Sequence, residues 1–332
     1  MKILLIGGTG TISTAITELL VKKEDVELYL LNRGNNQMPE GVNSIVCDIN
    51  DVESVKEKIA DLHFDAVADF IAFTTEHIKR DYEIFKDKCE QYIFISSASA
   101  YQKPLLNPVI TEETPLDNPY WEYSRNKQKC EELLMELYKT KGFPATIVRP
   151  SHTYGNKSIP VAVHGKNGSY SVIKRMLEGK RVIVHGDGES FWTVTHNTDF
   201  AVAFLGILAN KRAIGEIFHI TSDERLTWNQ IYRIIANILG VEYKPFYVSS
   251  SILAKLGPQY DLYGGLLGDK AQSVIFDNSK IKSYVKDFSA KTPFSKGAKL
   301  TLDYIMSHKE LQIEDKEFDL WCDEVIKKIE SL

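Results

Sequence analysis

The stretch "KILLIGGTGTIS" at residues 2–13 opens with a short, continuous apolar run that passes directly into glycine. Such a run is typical of a strand that is buried on both faces of a parallel sheet. From Ile12 the apolar spacing changes, because Ile16, Leu19 and Leu20 fall with it on one face of a helix. A strand, a glycine-rich turn and a helix in this order predict the first unit of an α/β sheet.

The same alternation continues to Pro150. Further strands are predicted at residues 26–32, 43–48, 64–73, 91–97 and 144–150, separated by helices such as 51–60, for which Asp51 is a suitable N-cap. Strands that alternate with helices predict a Rossmann-type, doubly wound parallel sheet.

After Pro150 glycine and proline become frequent, and the pattern is less regular. Two more strands are predicted at 182–186 and 215–221, followed by a helix at 227–240 whose apolar stripe indicates core packing. We therefore expect a Rossmann domain over residues 1–155, with strand and helix pieces near 181–222 that return to it. A smaller C-terminal domain is expected over residues 156–332.

The glycine-rich turn after the first strand is a candidate phosphate-binding loop. Glycines allow a tight turn and a close approach to a pyrophosphate, and the free N–H groups at the helix start favour negative charge. Ser13 stands where G-x-x-G-x-x-G would place its third glycine, and its hydroxyl is a further candidate for contact with a phosphate. The predicted cofactor residues of this loop are Gly7, Thr9, Gly10, Thr11 and Ile12.

The end of the second predicted strand bears on the type of dinucleotide. An acidic residue there would bind the ribose hydroxyls of NAD and repel a 2′-phosphate. This chain instead has Asn32 followed by Arg33, which favours NADP, although NAD remains open. Asp48, followed by Ile49 after the third strand, is placed to accept a hydrogen bond from an adenine amino group.

A tyrosine and a lysine four residues apart occur twice, as Tyr82 with Lys86 and as Tyr123 with Lys127. The first pair precedes the strand at 91–97 and is interpreted as an ordinary helix face. The second pair follows that strand, on a helix whose start is predicted near Pro119. Lys127, together with a cationic nicotinamide, is expected to lower the pKa of the Tyr123 phenol from about 10. The phenol would then exchange a proton with a substrate hydroxyl or carbonyl while the nicotinamide carries the hydride.

These motifs together resemble the extended short-chain dehydrogenases/reductases, in particular the NAD-dependent epimerase/dehydratase family that acts on nucleotide sugars. The resemblance spans nearly the whole chain and rests on "GGTGTIS" (7–13), "FISSASAY" (94–101), "YSRNK" (123–127), "RPSHTYG" (149–155) and "HNTDFA" (196–201). It implies that the C-terminal domain binds the substrate and that Lys127 also contacts the cofactor. It further implies a catalytic Ser97, a substrate contact at Ser99 and a structural role for Asp199.

The departures from the family pattern bear on the substrate. Family dehydratases carry an Asp-Glu pair where this chain has Ala98 and Ser99, so epimerases and keto-sugar reductases fit better. His152 replaces the usual asparagine, and either contacts a phosphate or sugar oxygen or is simply packed. Trp192 replaces the usual diphosphate-binding arginine, and either stacks on a base or sugar ring or belongs to the core. Other cations that are candidates for a diphosphate are Lys166, Lys174 and Arg175.

The composition limits the remaining classes of function. A net charge of −5 without long runs of either sign offers no footprint for nucleic acid or an anionic membrane. The four dispersed cysteines suit reduced thiols, and no metal site is predicted. We expect a cytoplasmic enzyme with a small-molecule substrate, and the resemblance suggests a homodimer. Two alternatives stay open: a reductase of a substrate without a nucleotide, and a non-catalytic binding protein similar to the chloroplast stem-loop RNA-binding proteins.

Overall fold

The computed structural model describes residues 1–35, 38–286 and 288–331. Its strands are β1 (Lys2–Ile6), β2 (Glu27–Asn32), β3 (Asn43–Val46), β4 (Ala66–Asp69), β5 (Tyr92–Ile95), β6 (Val109–Ile110), β7 (Ala145–Pro150), β8 (His152–Tyr154), β9 (Val182–His185), β10 (Phe191–Trp192), β11 (Val194–His196), β12 (Ile217–Ile220), β13 (Leu226–Thr227), β14 (Pro245–Val248) and β15 (Ile275–Phe276).

The α-helices are α1 (Ser13–Leu20), α2 (Val52–Lys58), α3 (Thr75–Phe85), α4 (Glu122–Lys141), α5 (Tyr170–Leu177), α6 (Asn197–Ile207), α7 (Trp228–Leu239), α8 (Ser250–Leu256), α9 (Ser279–Tyr284), α10 (Phe294–Ser307) and α11 (Lys316–Glu330). A π-helical segment runs from Tyr263 to Lys270. Among the described residues, no helix combines the length and the hydropathy that crossing a lipid bilayer requires.

A seven-stranded sheet in the order β12-β7-β5-β4-β1-β2-β3 forms the centre of the molecule, and every neighbouring pair is parallel. In β1, Ile3 and Leu5 pack into the core on one face of the sheet, whereas Leu4 and Ile6 pack into the core on the other. Both faces of this strand are therefore buried, which explains its continuous apolar sequence. The predicted doubly wound, Rossmann-type sheet is confirmed.

Helices cover both faces of the sheet. On one face α1 packs against α6, and on the other α3 packs against α4. The predicted N-cap of α2 is present, since the Asp51 carboxylate accepts a hydrogen bond from the Ser54 backbone N–H at 3.2 Å.

Two predicted boundaries were wrong. Strand β4 ends at Asp69 rather than near residue 73, because the Asp69 carboxylate accepts the N–H groups of Ile71 (2.5 Å) and Ala72 (3.0 Å) and turns the chain. Helix α4 begins at Glu122 rather than at Pro119. The preceding Asn118 side chain donates to two backbone carbonyls, those of Ser99 and Gly268, and this holds the approach to the helix extended.

The segment near 181–222 returns to the sheet only in part. Helix α6 and strand β12 pack on it or pair with it, whereas β9 pairs with β14 outside the seven strands. The predicted return of strand and helix pieces near 181–222 therefore describes α6 and β12 but not β9. The C-terminal part has its own core, in which Trp228, Ile231 and Ile235 of α7 are fully buried. The division into domains at residue 155 stays a prediction.

Candidate active site

The glycine-rich loop between β1 and α1 is stabilised by hydrogen bonds among its own residues. Gly7 has a φ of +79°, and a Cβ there would lie 2.7 Å from a methyl group of Ile71, so only glycine suits the position. The Ser13 hydroxyl accepts the Gly10 N–H at 2.9 Å and donates to the Gly7 carbonyl at 2.7 Å. Ser13 therefore stabilises the turn itself, and the prediction that its hydroxyl points at a phosphate was wrong.

A cavity of about 620 Å³ opens beside this loop, at the carboxyl ends of the first strands. It is lined by most of the predicted cofactor residues, namely Gly7, Thr9, Gly10, Asn32, Arg33, Asp48 and Ile49. Thr11 and Ile12 lie at the start of α1, outside the lining, and the Thr11 carbonyl accepts a hydrogen bond from the Asn197 amide. Phe73, His77 and Arg80 also line this cavity and were not anticipated from the sequence.

Arg80 links two segments of the chain beside this cavity. Its guanidinium donates to the Asn50 side chain at 2.8 Å and to the buried Asp81 carboxylate at 2.8 Å. A hydrogen-bond network of this kind fixes the loop that follows Asp48, which is the predicted adenine contact.

The Tyr123–Lys127 pair lies on one face of α4, with the lysine side chain only 1% exposed. The Lys127 ammonium donates to the backbone carbonyls of Ala72 and Ile95, each at 2.7 Å. Its nitrogen is 4.6 Å from the ring centroid of Phe73 and 5.8 Å from that of Tyr123. Burial lowers the pKa of Lys127 to about 8.

Helix α4 is anchored to the sheet one turn beyond Lys127. Glu131 receives three charge-assisted hydrogen bonds from the Arg149 guanidinium, the shortest at 2.6 Å, and both side chains are 3% exposed. The Ser96 hydroxyl donates to the same carboxylate. These contacts fix the height of the helix relative to the ends of β5 and β7, and thereby position the Tyr–Lys pair.

Burial raises the pKa of the Tyr123 phenol, and a hydrogen bond with Ser97 opposes the rise without cancelling it. In the protein on its own, removal from water outweighs the neighbouring groups. In this form the phenol is protonated at neutral pH. The predicted lowering of this pKa involves a cationic nicotinamide together with Lys127 and stays a prediction.

A row of serine hydroxyls leads to the phenol. Ser124 donates to the Ser99 hydroxyl at 2.8 Å, and the hydroxyls of Ser99 and Ser97 lie 2.9 Å apart. Ser124 is 1% exposed and was not anticipated, although its place next to Tyr123 in the first turn of α4 was a usable signal. The row fixes the position of the Ser97 hydroxyl.

A second cavity, of about 310 Å³, lies between this row and the C-terminal part of the chain. It brings together Tyr123 and Ser97 with all three predicted substrate contacts, Ser99, His152 and Trp192. Further lining residues that the sequence did not reveal are Lys103, Trp121, Asp269 and Lys270. Whether these residues act in a reaction stays a prediction.

Neither His152 nor Trp192 contributes a positive charge to this cavity. Burial lowers the pKa of His152 to about 3, so its ring is neutral at physiological pH. Trp192 stacks on Trp228, with ring centroids 5.7 Å apart, so one of its faces is already covered. Its indole N–H is buried and has no acceptor among the described residues.

The other cations that were candidates for a diphosphate lie elsewhere. Arg175 is 2% exposed and forms ion pairs with Asp319 and Asp323 of α11. Lys174 pairs with Glu314 at 2.6 Å, and Lys166 does not line the cavity that contains Tyr123. Asp199 accepts the backbone N–H groups of Lys291 and Thr292, and its structural role stays a prediction.

Among the described residues, no group of three or more histidine, cysteine, aspartate or glutamate side chains is arranged to hold a metal ion. The cysteines are free thiols.

The parallel sheet order, the braced glycine loop at its first strand and the Tyr–Lys pair at its carboxyl edge define the Rossmann class of dinucleotide-binding folds. Within that class the chain belongs to the NAD dependent epimerase/dehydratase family, whose profile matches residues 3–221.

Individual relatives of the chain differ in their described functions. It is 28% identical to the chloroplast stem-loop binding protein of 41 kDa b from Arabidopsis thaliana, over 94% of this chain and 86% of that protein. It is 24% identical to the 2'-dehydrokanamycin reductase of Streptomyces kanamyceticus, over 77% of this chain and 71% of that enzyme. A crystal structure of UDP-glucuronic acid 4-epimerase from Bacillus cereus, in complex with UDP-glucuronic acid and NAD, superposes with a TM-score of 0.74 at 20% identity. That superposition covers 92% of this chain and 99% of the epimerase.

Proposed function

We propose that the protein is an NAD-dependent oxidoreductase or epimerase that acts on a sugar nucleotide or a related hydroxylated small molecule. The observation that carries this proposal is the enclosure of Tyr123 and Ser97 in one cavity, with the neighbouring Lys127 ammonium fixed by two backbone carbonyls. An acid/base, a hydrogen-bond donor to the reacting oxygen and a nearby cation are the groups that carbonyl–alcohol interconversion needs.

The residues have separate roles in this chemistry. A bound nicotinamide would supply the acceptor or donor of the hydride. Tyr123, protonated in the protein on its own, donates its proton to a substrate carbonyl oxygen, or takes the proton of a substrate hydroxyl in the opposite direction. Ser97 donates a hydrogen bond to the same oxygen, and the Lys127 charge favours the phenolate that proton donation leaves behind.

Dehydration is a less suitable reaction for this site. The positions directly after Ser97 are Ala98 and Ser99, neither of which titrates in the range needed to eliminate water. Epimerisation or reduction requires only the groups that are present.

The cofactor proposed is NAD. The family is described as NAD dependent, and the UDP-glucuronic acid 4-epimerase structure was determined with NAD. The preference for NADP that Asn32 and Arg33 suggested gains no support from these relatives. Gly7, Gly10, Asn32 and Asp48 would hold the dinucleotide in the larger cavity.

Identification of the nucleotide tests this proposal directly. The purified protein is denatured and the released small molecules are separated, and in parallel the protein is titrated with NAD and NADP. We expect NAD to be released, or to bind at least tenfold more tightly than NADP. A protein that releases and binds neither dinucleotide would contradict the proposal.

A second candidate function is binding of a nucleic-acid stem-loop, because the similarity to the Arabidopsis protein extends over 94% of this chain. The net charge of −5 and the retained Tyr–Lys pair argue against it. Binding to a labelled RNA hairpin that weakens steeply with added salt would favour this candidate. The homodimer and the cytoplasmic location stay predictions.

A further inference from the structure

The cavity that contains Tyr123 carries an excess of positive charge. Lys103 and Lys270 line it, Asp269 is the acidic residue among its lining, and His152 is neutral. Lys103 is 3% exposed, and no described carboxylate forms an ion pair with its ammonium. Two cations against one anion leave one positive charge without compensation.

The charged groups here differ in exposure, since Lys103 is buried whereas Asp269 and Lys270 are partly exposed. Burial lowers the pKa of Lys103 and raises the pKa of Asp269, and each acts on the other through its charge. The Lys270 ammonium has only a long contact, 3.5 Å, with the Gly265 carbonyl. Buried charges that lack a full partner favour an anion that can supply the missing hydrogen bonds.

A second observation points to a ligand at the same place. The indole N–H of Trp192, a residue that is 4% exposed and lines the cavity, has no acceptor among the described residues. An unpaired buried donor is costly, and a ligand oxygen in the cavity would satisfy it. The cavity therefore offers hydrogen-bond donors and positive charge to an oxygen-rich anion.

Size and lining argue against a nucleotide diphosphate at this position. The cavity volume is about 310 Å³, half that of the cavity beside the glycine-rich loop and at the low end of roughly 300–1,000 Å³ for small-molecule sites. No arginine among the described residues lines it, although bidentate guanidinium groups are the usual partners of diphosphates.

We propose that the substrate is a small hydroxylated molecule with a single anionic group and no nucleotide, and that Lys103 and Lys270 bind the anionic group. This inference rests on the proposed function, since it places the reacting hydroxyl or carbonyl at Tyr123 and Ser97. The anionic group is a carboxylate or a phosphate monoester, and both would be satisfied by ammonium groups and the Trp192 N–H.

The test is a binding experiment on the full chain saturated with NAD, with calorimetry as the readout. The probes are matched sets: glucose, glucuronate and glucose 6-phosphate, and the corresponding galactose compounds, with UDP as a competitor. We expect at least one anionic sugar to bind tenfold or more tightly than its neutral counterpart, and UDP not to displace it. The carboxylate and phosphate members of each set distinguish the two sources of charge.

Variants of the two lysines link binding to these residues. Lys103→Met and Lys270→Met are each expected to weaken binding of the anionic sugar about tenfold, whereas Lys86→Met on the distant helix α3 leaves it unchanged. Binding of NAD by each variant reports that it is folded. Because Lys270 is only partly buried, its variant keeps the test meaningful if Lys103→Met fails to fold.

Several outcomes would overturn the inference: no anionic sugar binds better than its neutral counterpart, UDP competes, or neither lysine variant weakens binding. Turnover separates this inference from the proposed function, with NADH absorbance as the readout for net oxidation or reduction and chromatographic separation of the sugars as the readout for epimerisation. If an anionic sugar binds but no compound is oxidised, reduced or epimerised, the proposed function fails, and only an anion-binding site at Lys103 and Lys270 remains of the inference. If only nucleotide sugars are converted, the inference fails and the proposed function stands.

Discussion

Helices α3 and α4 carry the same Tyr-x-x-x-Lys spacing in entirely different surroundings. Tyr82 on α3 packs edge-on against Phe143, and Lys86 remains 42% exposed and pairs with Glu83 at 3.5 Å. On α4, Lys127 is 1% exposed and bonded to two backbone carbonyls, and Tyr123 lines a cavity. The spacing places both residues of a pair on one face of a helix. Whether that face forms a candidate active site depends on whether it meets the carboxyl ends of the neighbouring strands.

The two backbone carbonyls that bind Lys127 explain why its surroundings differ from those of Lys86. Ile95 is the last residue of β5, and Ala72 follows the turn that Asp69 imposes after β4. Both carbonyls point beyond the carboxyl ends of parallel strands, where ligands bind in this fold. Lys86 caps the C-terminus of α3, in the connection that leads into the start of β5. There it pairs with the exposed carboxylate of Glu83 instead.

The largest difference between the two pairs is expected for removal of the phenol oxygen. Tyr123→Phe should lower turnover by about 10²–10⁴-fold, because a positioned acid/base contributes that much. Tyr82→Phe, the matched control, should keep turnover within about twofold. Steady-state rates measured with the substrate found above check both. Comparable activity of the two variants would remove the distinction between the pairs.

A smaller effect is expected from the lysine, as a dependence of stability on pH. The folded-state pKa of Lys127 is lowered from 10.5 to about 8, so between these values the unfolded chain binds more protons than the folded chain. Stability contributed by this group therefore rises with pH across that window, and the destabilisation is fully present below pH 8. Relative to Lys127→Met, the wild type should gain up to about 3 kcal/mol of unfolding free energy between pH 7 and pH 10.5.

Urea denaturation of both proteins at the two pH values measures this gain. Lys86→Met serves as the control for the loss of a lysine at the same spacing, and should lie within about 0.5 kcal/mol of the wild type at pH 7. A difference between wild type and Lys127→Met that is constant with pH would mean that Lys127 titrates alike in the folded and unfolded chains.

The smallest effect is expected one residue further along each helix. Ser124→Ala removes the outer hydroxyl of the row that leads to Tyr123 and should lower turnover up to about fivefold, as loss of a neutral hydrogen bond of ~1 kcal/mol implies. Glu83→Ala, at the corresponding position after Tyr82, should leave turnover unchanged. Equal rates for wild type and Ser124→Ala would show that Ser99 and Ser97 hold their positions without it.

The sheet was predictable because its signal is local. A strand buried on both faces must be apolar throughout, and β1 is. The apolar run at β9 carries the same signal, but it pairs with β14 in a separate sheet. A run of four buried residues does not specify its partner, so its place could not be read from the sequence.

The candidate site was predictable only in part, for a similar reason. Tyr123, Lys127 and Ser97 follow from a spacing and from strand ends that lie close in sequence. Lys103 lies in an irregular loop and Lys270 at the end of a π-helical segment, and only the folded chain brings both to one cavity. The raised pKa of Tyr123 in the protein alone was not anticipated, because burial of the phenol is not visible in the sequence.

The row of serines also sets a direction for charge. Ser124 donates to Ser99, whereas either hydroxyl of the Ser99–Ser97 pair can be the donor. When Ser99 donates to Ser97, the Ser97 proton is free for Tyr123 in the empty site and for the substrate oxygen once a substrate is bound. The row ends at the buried Ser124, so it is polarised but does not conduct protons to solvent. The row can therefore stabilise charge at Tyr123 electrostatically. A proton that Tyr123 gives up in one turnover has to be replaced from the open side of the cavity.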